Sequence, residues 1–350
     1  MSIVLRARPE IRELVPYSSA RMEAGGAAVM LNANESPWTQ TGLNRYPDPQ
    51  PAALRLRLAD LYGVDADQVL VGRGSDEAID LLVRAFCAAG EDAIVISQPT
   101  FGMYAVCARI QAAEVIDVPL DTQFTLDADA LLAAIAPNVK LVFLCSPNNP
   151  TGGLVPLATI ARIANALVEH ALVVVDEAYI EFADAPSAVS LLAQCPNLAV
   201  LRTLSKAYAL ASARVGSVLA SAEVIELLRR IQAPYPLPSP SVAAAMAALE
   251  PDARPLVGAV VARTIVDREQ LRRDIAALPI ARAVLPSRAN FLCVHFADCA
   301  GVYRHLLRHG VVVRDVSRYP RLADHLRISI GAPEENSRLL TVLRAHQAAA

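Results

Sequence analysis

The chain has 350 residues, 54% hydrophobic and 19% charged, with a formal net charge of -3 at pH 7. That length suffices for a large buried core in one or two domains. The near-neutral balance, without any basic block, argues against nucleic acid or a membrane surface as partner.

The first forty-odd residues show no strand–helix alternation and read as an arm over residues 1–47 that packs on a smaller domain. The N-terminus is charged early and lacks a long apolar segment, so no signal peptide is expected. From Val69 onward, short apolar runs alternate with amphipathic stretches. Val69–Val71 is a short strand before a glycine turn, and Asp76–Gly90 has helical spacing. "DAIVIS", "EVIDVPL", "VKLVFLCS", "ALVVVDEAY", "LAVLRTLS" and "SVLAS" read as strands; "FGMYAVCARIQA", "LDADALLAAI" and "LATIARIANALVEH" read as helices. Strands apolar on both faces, with helices between them, predict an α/β fold with a mostly parallel sheet covered on both sides. "APYPLPSPS" carries four prolines at alternate positions, excludes regular helix, and closes a large domain over residues 48–240. A smaller α+β domain follows over 241–350, with a long helical region at Ser241–Ala277. Then come "NFLCVHF", "GVVVRD" and "HLRISIG", the last two resembling strands.

Six cysteines without a C-x-x-C pair read as buried free thiols in a reducing compartment, with the cytoplasm as the default. The two longest uncharged stretches, at 141–161 and 232–249, are broken by proline-rich segments, so no membrane helix is expected.

In open α/β sheets ligands bind beyond the carboxyl ends of the strands. Four of those ends carry chemistry: "GRGSDE", "SPNNPTGG", "DEAY" and "LSK". Gly74 and Ser75 open a helix and offer backbone amides to an anion. Asn148 or Asn149 is held by a proline-bracketed turn, and Asp176 ends a valine run with Tyr179 three residues on. Of 32 basic residues only Lys140 and Lys206 are lysines. An amine can lose its proton where a guanidinium cannot, so Lys206 is the candidate nucleophile. Arg214 lies eight residues on, on the same side if the segment is helical. Each feature alone also fits a plain cap, turn or solvated charge, and Lys140 reads as a surface charge. Together they suit pyridoxal phosphate: a lysine for its aldehyde, a carboxylate for its ring nitrogen, helix-end amides and arginine for its phosphate.

"SPNNPTG", "VVDEAYIEF" and "RTLSKAYALASARVG" resemble the class II aminotransferases of fold-type I. "LVPYSSAR", "LNANESPW" and "RYPDPQP" favour their histidinol-phosphate aminotransferase subfamily. That resemblance implies Lys206 as the cofactor lysine and proton shuttle, and Asp176 as partner of the ring nitrogen. It implies Asn149 and Tyr179 at the ring hydroxyl, and Phe101 stacked on the ring. Gly74, Ser75, Asp76, Thr203, Ser205 and Arg214 fall around the cofactor phosphate, and Tyr46 reaches the phosphate of a partner subunit in a homodimer. Arg327 would bind the substrate anion, assisted by Arg314, Tyr17 and Asn149. The implied substrates are histidinol phosphate and 2-oxoglutarate, with glutamate as product and no metal. An aromatic amino-acid aminotransferase and a threonine-phosphate decarboxylase are the rival readings.

Overall fold

A computed structural model describes residues 2–17 and 29–349. Its larger sheet contains β1 (Val69–Gly72), β2 (Ala93–Ile96), β3 (Glu114–Asp117), β4 (Val139–Cys145), β5 (Leu172–Asp176), β6 (Leu198–Thr203) and β7 (Gly216–Ala220). The spatial order is β1-β7-β6-β5-β4-β2-β3. β6, β5, β4, β2 and β3 run parallel, while β7 is antiparallel to both neighbours. Every residue of β5 and β6 is buried, as expected of strands with helices on both faces. Helices Ser75–Phe86, Met103–Ile110 and Ala222–Ile231 cover one face. Helices Ala52–Tyr62, Ala128–Ala133 and Leu157–Ala166 cover the other. Side chains such as Leu82, Phe86, Leu54 and Ile163 are fully buried there, each worth about 1.5–3 kcal/mol of transfer free energy.

The smaller sheet is antiparallel, in the order β10 (Arg314–Asp315), β11 (His325–Ser329), β9 (Phe291–Phe296) and β8 (Ala281–Val284). Leu292, Val294, Leu326 and Ile328 point into a core built with helices Arg254–Ala276, Cys299–Arg308 and Pro333–Ala349. By strand alternation Cys293 and its register partner Arg327 face the other way, toward the larger unit. Arg268 joins the units: its buried guanidinium donates to Phe182 O and Ala289 O, both at 3.0 Å.

Several expectations are revised. The first residues of the arm dock on the larger unit, because Ile3 and Ala7 enter its core and Arg8 N–H donates to Ala85 O at 3.0 Å. Residues 18–28 of that arm, including the end of "LVPYSSAR", lie outside the described residues. Helix Ser239–Ala248 also belongs to the larger unit, since Ala245 and Leu249 pack in its core. The larger unit's core therefore extends past the expected 240/241 boundary as far as Leu249. In "GVVVRD" only Arg314 and Asp315 pair as strand, and "NFLCVHF" is a central strand of the small sheet. Lys140 is half-buried and paired with Asp92 at 3.6 Å. All six cysteines are buried free thiols. No helix among the described residues is long and apolar enough to cross a membrane.

Candidate active site

β4, β5 and β6 are neighbours, and their carboxyl ends open into one pocket. β6 delivers Thr203, Ser205 and Lys206; β5 delivers Asp176, with Tyr179 beyond it; β4 leads to Asn149. Helix Ser75–Phe86 closes the pocket with Ser75 and Asp76, and Phe101 and Arg214 complete its wall. A larger cavity behind Cys145, lined by residues such as Phe124, Leu144 and Leu285, has no carboxylate, lysine or arginine in its lining. The smaller pocket carries the reactive groups.

The segment holding Lys206 is not helical from lysine to arginine. Leu204 and Ala207 are buried on either side of Lys206, and Ala209 N–H turns back to Lys206 O at 3.2 Å. A single 3₁₀ turn, Ala211–Ala213, follows, and Arg214 then takes a left-handed backbone with φ 55°. The arginine reaches the pocket by this reversal of the chain. Its Nη1 lies 3.5 Å from Ser205 Oγ, and its Nη2 donates to Asp76 Oδ2 at 3.1 Å.

The cradle beside it depends on two glycines. Gly74, at φ +80°, caps the helix without any side-chain hydrogen bond, which leaves the first-turn amides for a ligand. A Cβ on Gly74 would stand 2.6 Å from Arg214 Nη2. A Cβ on Gly216 would stand 2.6 Å from the Gly74 carbonyl carbon. Neither position can carry a side chain while arginine and helix end lie this close. Thr203 Oγ1 donates to Ser205 Oγ at 2.9 Å and fixes that hydroxyl on the same wall.

Lys206 Nζ has no hydrogen-bond or ion-pair partner among the described residues and sits 5.8 Å from the Tyr179 ring centroid. Partial burial, then the positive fields of Arg327 and Arg214, lower its pKa from the usual lysine value. Asp176 is buried, and burial pushes its carboxyl up to about 6. Tyr104 O–H donates to its Oδ2 at 2.8 Å and Ala178 N–H to its Oδ1 at 3.1 Å; both oppose that rise. Burial raises the Tyr179 phenol, so it stays protonated. Below the pocket, Arg202 ties β5 to β6: it pairs with Glu181 at 2.6 Å and Glu177 at 3.5 Å and lies over the Tyr62 ring at 4.5 Å.

From the smaller sheet, Arg327 Nη1 donates to Asn149 Oδ1. Arg314 is its register partner on β10 and is exposed. Tyr17 and Tyr46 do not line this pocket: Tyr17 is 70% exposed, and Tyr46 stacks on Tyr235 with centroids 4.4 Å apart. Sequence reasoning missed Tyr104, Cys145 and Ala178. A signal for Tyr104 was present in "PTFGMY", where it stands about one helical turn after Phe101.

A free lysine, a buried carboxylate and an arginine-flanked helix end on fold-type I topology define the class, and comparison agrees. The profile of the family "Aminotransferase class I and II" matches residues 27–343. The chain belongs to that family. A curated histidinol-phosphate aminotransferase from Stenotrophomonas maltophilia (strain R551-3) is 52% identical, over 99% of this chain and 98% of that protein. One from Xanthomonas axonopodis pv. citri (strain 306) is 51% identical, over 100% and 99%. The crystal structure of histidinol-phosphate aminotransferase from Sinorhizobium meliloti in complex with pyridoxal-5'-phosphate superposes with a TM-score of 0.79 at 27% identity, covering 97% of each chain. These relatives make the histidinol-phosphate aminotransferases this chain's branch of the family.

Proposed function

We infer that this chain transfers the amino group of L-histidinol phosphate to 2-oxoglutarate, giving imidazole-acetol phosphate and glutamate, with pyridoxal 5'-phosphate as cofactor. The observation that carries the reading is the unpaired Lys206 amine sharing one pocket with buried Asp176 and the Gly74–Arg214 cradle. The residues present fit the cofactor: a glycine-only approach beside an uncapped helix end suits a phosphate, and the buried carboxylate of Asp176 suits a ring nitrogen. Bound there, pyridoxal phosphate supplies a carbonyl for the amine and a ring that accepts an electron pair.

The protein's own groups do the rest. Arg214, Ser205, Thr203 and the amides of Ser75 and Asp76 would hold the phosphate, with Asp76 orienting the guanidinium. Asp176 would keep a ring nitrogen charged, while Asn149 and Tyr179 would contact the ring hydroxyl and Phe101 would stack on its face. Lys206, with its proton loosened, would take the proton from the amine-bearing carbon as general base and return it as general acid. Arg327, fixed by Asn149, would present a planar fork able to pair with either a phosphate or a carboxylate. Arg314 would add charge for the phosphate substrate, and Tyr17 would assist. Tyr46, outside its own pocket, is assigned to the site of a partner subunit in a homodimer.

Specificity constants for histidinol phosphate, phenylalanine and threonine phosphate test the assignment. Histidinol phosphate should lead. A larger constant for phenylalanine would make the chain an aromatic aminotransferase. Carbon dioxide release from threonine phosphate without an oxo acid would make it a lyase.

A further inference from the structure

Tyr104 belongs to helix Met103–Ile110, is fully buried, and donates its hydroxyl to Asp176 Oδ2 at 2.8 Å. Its ring is stacked on Phe143 with centroids 4.7 Å apart, and Phe101 meets it edge-on at 5.7 Å. One side chain thus touches both the buried carboxylate and the aromatic wall of the pocket. Building on the cofactor reading above, we propose that Tyr104 is a positioning residue for Asp176, its hydroxyl keeping the carboxylate ionised and aimed at the cofactor's ring nitrogen.

The surroundings show why such a donor is needed. Asp176 is also approached by Cys145 from the end of β4, Asp76 from the helix Ser75–Phe86, and Lys206 from beyond β6. Burial and Asp76 both favour the neutral carboxylic acid, and Lys206 is the one cation among these neighbours. A carboxylic acid facing a pyridine nitrogen would hold the proton itself and leave the ring neutral. Hydrogen bonds to the ionised form oppose this, and among the described residues Tyr104 O–H and Ala178 N–H supply them. Burial, then the Asp176 charge, raises the Tyr104 phenol well above its ordinary value, so it remains a donor throughout the working pH range.

Tyr104→Phe removes one oxygen and keeps the ring stack. The test reconstitutes apoprotein with pyridoxal phosphate labelled with ¹⁵N in the ring. It then follows the ring-nitrogen chemical shift from pH 6 to 9, together with the cofactor Kd. In the wild type the nitrogen should stay protonated over most of the range and titrate only at its alkaline end. In Tyr104→Phe its titration midpoint should fall by about one unit and Kd should rise about tenfold, the scale of one hydrogen bond to a charged group. An unchanged midpoint and Kd would overturn the proposal, even with a lowered Tm, because the hydroxyl would then only satisfy buried polar groups. Phe143→Leu disturbs the stack but spares the bond and should leave the midpoint in place; an equal shift there would also overturn it. Failure of the wild-type apoprotein to bind the cofactor would instead overturn the cofactor reading and this proposal with it.

Discussion

The two sheets serve one site in different ways. The larger sheet is buried on both faces at β5 and β6, and the groups assigned to chemistry stand at the ends of those strands. The smaller sheet has helices on one face only, leaves β10 exposed, and sends Arg327 to the pocket rim from the opposite face. Groups that must hold sub-ångström geometry sit where packing leaves no freedom. The arginine assigned to the substrate sits on a separate unit, tied to the pocket through Asn149 and to the larger unit through Arg268. On these assignments catalysis and substrate choice should be separable by mutation.

The largest expected effect is at the rigid end. Lys206→Ala should lower kcat by about 10⁴-fold or more, since it removes the amine proposed both as nucleophile and as proton shuttle. Circular dichroism and Tm of the apoprotein should be close to wild type, because the amine has no hydrogen-bond or ion-pair partner among the described residues. From the smaller sheet, Arg327→Lys should lower kcat/KM about a hundredfold for both histidinol phosphate and 2-oxoglutarate. Steady-state kinetics on each substrate would show whether one arginine serves both anions. Loss for one substrate alone would separate the two anion sites.

The joint between the units comes next. Arg268→Ala leaves Phe182 O and Ala289 O without their donor and should reduce unfolding free energy by about 3 kcal/mol in urea titration. The smallest effect is a gain. Burial raises the folded-state Asp176 carboxyl to about 6, above its unfolded value, so the folded apoprotein binds the proton more tightly. The stability from that proton is full below about pH 4 and is lost as pH rises through about 6. Apoprotein Asp176→Asn should therefore match wild type near pH 4 and exceed it by on the order of 2 kcal/mol at pH 8.

The alternation of apolar runs and amphipathic stretches made the larger sheet legible, because strands covered on both faces read as continuous apolar runs. The small sheet was harder. β8 is "ARAV", half exposed, and carries no apolar run to mark it. Among the described residues, the arm's docking buries only two of its side chains fully, Ile3 and Ala7, too few to stand out in the sequence. Most of the pocket lining was legible because strand ends interrupt apolar sequence with polar residues. The spacing from Lys206 to Arg214 would share a side only in a helix; a 3₁₀ turn and a left-handed arginine bring Arg214 beside Gly74 instead, which local spacing does not announce. Tyr104 was missed because it comes from a helix and meets Asp176 across 72 residues of chain.

The central claim is that this pocket holds pyridoxal phosphate and removes an amino group from histidinol phosphate. Purified protein mixed with histidinol phosphate alone, without 2-oxoglutarate, tests it in one mixing. The yellow absorbance should bleach once, with one equivalent of imidazole-acetol phosphate per active site, and return on addition of 2-oxoglutarate. Colour that persists unchanged, or continued turnover without the oxo acid, would contradict it.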